Sequence, residues 1–188
     1  MYEDSKKIIF HALESGINFF DTAMAYQSGT SEEYLGRAIK EYGHREDVVI
    51  ATKYTPKSDD SIDSRTYLTE CLNNSLRRLQ TDYIDLYIMH MWDYRTPIEE
   101  TLEILNDFIK EGKIKEIGIS NCFAYQLATA NVTHNHPEGI KGAEATKLKH
   151  VDTAVLATEL ELSEEEKQYL EEPYQPHPLV GVMATNTK

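Results

Sequence analysis

A chain of 188 residues with 32 acidic and 19 basic side chains, a net charge of −13, is a poor partner for nucleic acid or an anionic membrane surface. With 40% hydrophobic and 27% charged residues it has the composition of a soluble globular domain, and no apolar run approaches the roughly 20 residues a membrane helix needs. The start, Met-Tyr-Glu-Asp-Ser-Lys-Lys, leads into no signal-peptide core, and Cys71 and Cys122 lack metal-like spacing, so the reading is a cytoplasmic protein with reduced thiols.

In chain order, residues 3–15 place Ile8, Ile9, Ala12 and Leu13 on one face of a predicted helix that Gly16 stops. Ile17 to Phe20 is an apolar run too short for a helix and reads as a buried strand ending at Asp21. Ser31 supplies an N-cap hydroxyl and Glu32 and Glu33 first-turn acids for a helix reaching about Tyr42, before Gly43. Val48 to Ala51 is a second buried strand, ending at Lys53. Leu68, Leu72, Leu76 and Leu79 mark a helix over 64–79, and Tyr83 to Met89 a strand ending at His90. Pro97 suits the first turn of a helix through about Glu111, and Ile114 to Ile119 is a fourth strand, ending in Ser120-Asn121. Strands that lack period-2 alternation and are separated by helices argue a parallel sheet covered by helices.

The rhythm breaks after about Ala130. Residues 131–146 hold a proline, two glycines and no predicted strand. Two helices are predicted beyond, one with Leu148, Val151 and Val155 on a face and one opened by Ser163, followed by a proline-rich tail from Pro173.

Asp21, Lys53 and His90 each fall at the C-terminal end of a predicted strand, with Tyr26 in the loop after the first. In a parallel barrel those positions share one rim, where active sites are assembled. Taken singly, Asp21 reads as a cap, Tyr26 as packing, Lys53 as a solvated rim residue and His90 as a satisfied strand-end histidine. Jointly they form a chemical set. A free phenol, with a pKa of about 10, is a weak acid at neutral pH; an adjacent ammonium favours the phenolate, and a carboxylate holds the ammonium charged. A neutral histidine can place a carbonyl oxygen. Such a group is a proton donor aimed at a carbonyl receiving hydride.

The segments Phe-Phe-Asp21-Thr-Ala-Met-Ala-Tyr26, Ala51-Thr-Lys53, Tyr87-Ile-Met-His90 and Gly118-Ile-Ser120-Asn121 resemble successive signatures of the aldo-keto reductase superfamily, continuously over residues 1 to about 130. The resemblance implies a partial TIM (β/α)8 barrel, with parallel strands and outer helices and with the first and last strands missing. It implies Tyr26 as general acid, Lys53 and Asp21 as its tuning pair and His90 as the carbonyl orienter. It further implies Asp21 and Asn121 at the nicotinamide–ribose end of NADPH, Ser120 near the carboxamide, and Trp92 as a substrate-pocket aromatic. From Thr146-Lys147 onward the tail is similar to the family's C-terminal helix. There Lys147, and with less weight His150, would hold the 2′-phosphate, while Thr153-Ala154 stand where an acid–amide pair for adenine is expected.

Three regions follow: 1–130 with the catalytic βα units, 131–146 as an atypical junction loop, and 147–188 as C-terminal helices and tail. The junction is similar to a short stretch of ADP-ribosylglycohydrolases, without that family's acidic metal-binding clusters. His134 and His136 lack a third ligand and read as loop residues, so no metal is expected. The expected activity is NADPH-dependent reduction of aldehydes or ketones to alcohols, on a small-molecule carbonyl substrate and with no nucleic-acid or membrane partner. The alternative is a catalytically impaired fragment acting as a non-catalytic interaction or nucleotide-sensing subunit. Open sheet edges imply self-association.

Overall fold

Helix and strand alternate in the computed structural model, which describes residues 2–133 and 141–142. The elements are α1 (Tyr2–Glu14), β1 (Phe19–Asp21), a short 3-10 turn (Tyr26–Gly29), α2 (Thr30–Tyr42), β2 (Val49–Tyr54), α3 (Ser64–Leu79), β3 (Ile84–Met89), α4 (Ile98–Lys110), β4 (Ile114–Ile119), α5 (Ala124–Thr133) and β5 (Lys141–Gly142). Local chemistry sets several of these boundaries. The Asp63 carboxylate caps α3 by accepting from the Thr66 N–H at 2.9 Å. Gly43, at φ +88°, ends α2 in a left-handed turn whose N–H returns to the Ile39 carbonyl.

All five strands pair in parallel in the order β1-β2-β3-β4-β5, which with the intervening helices is one arc of a β/α barrel. Ile50, Tyr54, Tyr87, Met89, Ile117 and Ile119 of the sheet are buried in one cluster with Leu35, Ile39, Leu68, Leu72, Leu105 and Phe108 of the helices. The register is Asp21 opposite Ala51, and Lys53 opposite Ile88, itself opposite Gly118. Asp21 and Lys53 therefore lie on one face of the sheet, a pleat apart.

Several sequence expectations need correction. Ile8 does not join the core face of α1: it is 71% exposed, while Ile9 and Leu13 pack inward. The strand expected to be buried at 17–20 is the edge strand β1, paired with β2 on one side only among the described residues, and Phe19 is 50% exposed. Ser31 does not cap α2. The helix starts at Thr30 with Gly29 as its cap residue, and the Ser31 hydroxyl pairs with Thr22 Oγ1 at 2.7 Å. Pro97 stands just before α4, as its cap residue. The stretch expected to hold no strand contributes Lys141–Gly142, paired with Gly118 and Ile119, and α5 runs on to Thr133. The remainder of 131–146 and the predicted helices and tail beyond lie outside the described residues.

The end of the sheet opposite the strand C-termini is tied by charge. The buried carboxylate of Asp85 accepts from the Ile50 N–H (2.9 Å), Arg45 Nη2 (2.7 Å) and Lys115 Nζ (2.7 Å). Burial pushes this carboxyl up, but those three donors outweigh it and hold it below the usual range. Arg45 and Lys115 each lie over the Tyr83 ring, at 4.1 and 4.3 Å.

Helices α2 and α3 touch through backbone at Gly36. A Cβ there would stand 2.3 Å from the Leu79 carbonyl carbon and oxygen. Gly36→Ala should therefore cost stability by overpacking, about 2 kcal/mol even after the better helix propensity of alanine. Denaturant unfolding checks this, and an unchanged or raised midpoint would contradict the contact.

Candidate active site

Lys53 sits one residue before the end of β2, with a side chain only 7% exposed. An ammonium taken so far from water needs partners for its three donors. It finds the Asp21 carboxylate in an ion pair, the Thr22 carbonyl at 3.0 Å and the Tyr26 hydroxyl at 3.2 Å. Asp21 is the last residue of β1, and its carboxylate remains partly open to solvent. Tyr26 opens the short turn beyond it and is 40% exposed, so the phenol faces both the ammonium and the space above the rim.

His90 follows β3, and its ring meets that of Tyr26 edge-on, with centroids 5.6 Å apart and planes at 81°. Burial, then the nearby Lys53 charge, pushes the imidazole pKa below its usual value, and Asp21 only partly counters this. The ring is therefore neutral at physiological pH, with Nδ1 buried and, among the described residues, without a hydrogen-bond partner. Its backbone is fixed on both sides. The His90 N–H donates to the Tyr54 carbonyl at 2.9 Å, and the His90 carbonyl accepts from Ser120 Oγ (2.8 Å) and Asn121 Nδ2 (2.7 Å). Asn121 takes a left-handed conformation at φ +50° to make that contact.

The structure thus brings Asp21, Tyr26, Lys53 and His90 together and sets Ser120 and Asn121 against the His90 backbone. Trp92 is partly buried and packs on the core, its backbone N–H reaching the Asn121 carbonyl at 3.4 Å. Lys147, His150, His134 and His136 lie outside the described residues. Sequence reasoning missed the Thr22 carbonyl as the third partner of Lys53, because a backbone acceptor carries no residue-type signal. It also missed the left-handed run Gln27 (φ 49°), Ser28 (φ 54°) and Gly29 (φ 93°) that follows Tyr26, although Ser-Gly was a readable turn cue. Among the described residues no helix is long and apolar enough to cross a membrane.

The model of the Aldo/keto reductase family matches residues 1–143. The chain is similar to the aldo-keto reductase YhdN of Bacillus subtilis, 48% identical over 122 residues, which are 63% of this chain and 37% of that protein. It is similar to an NADP(+) aryl-alcohol dehydrogenase of Phanerodontia chrysosporium, 36% identical over 142 residues, 69% of this chain and 37% of that one. Among solved structures, the holo form of aldo-keto reductase AKR11C1 from Bacillus halodurans superposes with a TM-score of 0.67 at 32% identity, over 85% of this chain and 55% of that one. The chain thus spans about two fifths of the length of the relatives it matches in sequence.

The lowered His90 pKa has a stability consequence with a definite sign. Below about pH 6.5 the unfolded chain binds a proton that the folded chain resists, so this residue makes stability fall as pH drops through that value toward the folded pKa. The difference in Tm between the wild type and His90→Asn should move in favour of the variant from about pH 7.5 to pH 5. Thermal melts across that range check it; a difference independent of pH would contradict the burial argument.

Proposed function

The chain belongs to the aldo/keto reductase family, and from that premise we propose that its rim cluster reduces aldehydes or ketones to alcohols with NADPH, Tyr26 serving as general acid. The observation that carries the reading is the Tyr26 hydroxyl held 3.2 Å from a buried ammonium that is itself paired with Asp21. When the carbonyl oxygen gains negative charge, the Tyr26 hydroxyl donates its proton to it. The phenolate left behind is stabilised by the Lys53 ammonium, and Asp21 offsets the cost of keeping that ammonium buried. Neutral His90, with its N–H on Nε2, donates a hydrogen bond to the same oxygen and sets its approach to Tyr26.

Reduced nicotinamide, when bound, supplies the hydride. The residues present fit its carboxamide end: Ser120 and Asn121 turn donor hydrogens to the His90 carbonyl, which leaves the Asn121 side-chain oxygen to accept from an amide N–H. Asp21, partly exposed at the end of β1, suits a ribose hydroxyl. The choice of the phosphorylated cofactor rests on the NADP(+) named for one relative and on the expectation for Lys147. An aromatic aldehyde is the substrate class we favour, in line with the aryl-alcohol name of that relative. We place the protein in the cytoplasm, in keeping with two cysteines, Cys71 and Cys122, that form no disulfide.

The exposed edge of β1, with Phe19 half in solvent, supports the second reading, a non-catalytic or nucleotide-sensing subunit that associates through that edge. The two readings part in one set of measurements. With an aromatic aldehyde, loss of reduced-nicotinamide absorbance should show turnover, and Tyr26→Phe should lower it by about 10²–10⁴-fold without changing NADPH affinity measured by fluorescence quenching. NADPH binding without turnover would favour the sensing subunit. Absence of binding near millimolar cofactor would end catalysis by this chain alone, and full activity in Tyr26→Phe would end the assignment of the acid.

A further inference from the structure

The turn that carries Tyr26 is strained. Gln27, Ser28 and Gly29 are three consecutive left-handed residues, and for Gln27 and Ser28 that conformation costs about 1–2 kcal/mol each. Such a turn keeps its shape only where its surroundings over-determine it. Part of the restraint is local: the Met24 N–H donates to the Lys53 carbonyl at 3.0 Å, and Thr22 Oγ1 pairs with Ser31 Oγ. The rest comes from below. Gly29 lies directly on the side chain of Arg78, so close that a Cβ would stand 2.8 Å from Arg78 Cδ and Nε.

Arg78 reaches up from the last turn of α3 and is held there by Glu32, whose side chain is completely buried in the first turn of α2. One carboxylate oxygen of Glu32 accepts from Arg78 Nε. The other accepts from Thr52 Oγ1 at 2.6 Å. Thr52 immediately precedes Lys53 in β2, on the opposite face of the strand. A single carboxylate therefore holds the hydroxyl of the residue next to the ammonium and the arginine that underlies the turn presenting the phenol. It touches neither reacting group.

We propose that Glu32 is a positioning residue: its two-armed contact with Thr52 and Arg78 sets the spacing between Lys53 Nζ and the Tyr26 hydroxyl. Thr52 gives the second oxygen of this buried carboxylate its donor, so the same acid is tied to β2 and to α3, and one meant only to cap α2 would turn to a backbone N–H. The importance of that spacing for catalysis rests on the reductase reading above. The spacing itself does not.

The test uses the full chain with tyrosine labelled with carbon-13 at Cζ. The Tyr26 resonance is assigned by its loss in Tyr26→Phe, and Lys53→Met supplies the position that reports a phenol without its ammonium. In Glu32→Gln and in Thr52→Val the Tyr26 resonance should move toward the Lys53→Met position, while those of the core residues Tyr54 and Tyr87 stay where they are. Should Glu32→Gln fail to fold, Thr52→Val and Arg78→Lys carry the measurement. A Tyr26 resonance unmoved in the variants that fold would overturn the proposal. So would one that moves together with Tyr54 and Tyr87, since that is general loosening, or one that Lys53→Met leaves unchanged. Where the wild type turns over an aldehyde, Glu32→Gln should lower kcat by about ten- to a hundredfold with KM within about twofold. A wild type without turnover would retire the reductase reading and leave the resonances alone to decide the positioning role.

Discussion

A lysine ammonium held almost wholly out of water is the constraint around which this molecule is arranged. Without compensating charge and acceptors, such a group costs several kcal/mol or loses its proton. Lys53 offsets that cost through three acceptors, which come from two successive residues of β1 and its extension and from the turn just beyond. That supply depends on register. Sliding β1 against β2 by one residue would turn Asp21 to the helix-covered face and leave the ammonium facing no carboxylate. The parallel pairing of Phe19 with Val49 and Asp21 with Ala51 is therefore a condition of the site as much as of the sheet.

The other wall of the site is built by a different economy. His90 carries the ring, but its place is set by backbone: Tyr54 behind it, Ser120 and Asn121 in front. The loops after β2, β3 and β4 are thereby linked at their roots. Asn121 accepts an unfavourable φ to complete the link, the kind of local strain that functional rims hold where surrounding contacts repay it. Burial and the Lys53 charge then keep the imidazole neutral. A neutral ring can donate one hydrogen bond to a carbonyl without adding a second positive charge beside the first.

Much of this was legible in the residue order, and the misses have physical causes. Strand-end positions found Asp21, Lys53 and His90 because short apolar runs with turn signals between them mark buried parallel strands well, and the family resemblance added Ser120 and Asn121. The signal failed where a residue's surroundings are set by something distant in sequence. Ile8 looked like core because helical spacing cannot tell which of two adjacent isoleucines meets a neighbour. Ile17 and Phe19 looked buried because nothing local distinguishes an edge strand from a central one. Ser31 looked like a cap, but it lies inside the helix, whose cap position Gly29 holds, and its hydroxyl pairs with that of Thr22. Lys141–Gly142 has neither the length nor the composition of a strand and pairs only because β4 offers it an edge. The partnership of Glu32 with Thr52 and Arg78 joins three elements across 46 positions of sequence, and no periodicity reports such a meeting.

The ionic knot of Asp85, Arg45 and Lys115 around Tyr83 sits at the far end of the same strands whose other ends carry the reactive rim. Cohesion and reactivity thus occupy opposite poles. Insertions, new side chains or altered loop lengths at the reactive pole can be sampled while the anchoring pole keeps the strands aligned. One scaffold so divided can host many descendants with different tastes in substrate and an unaltered foundation.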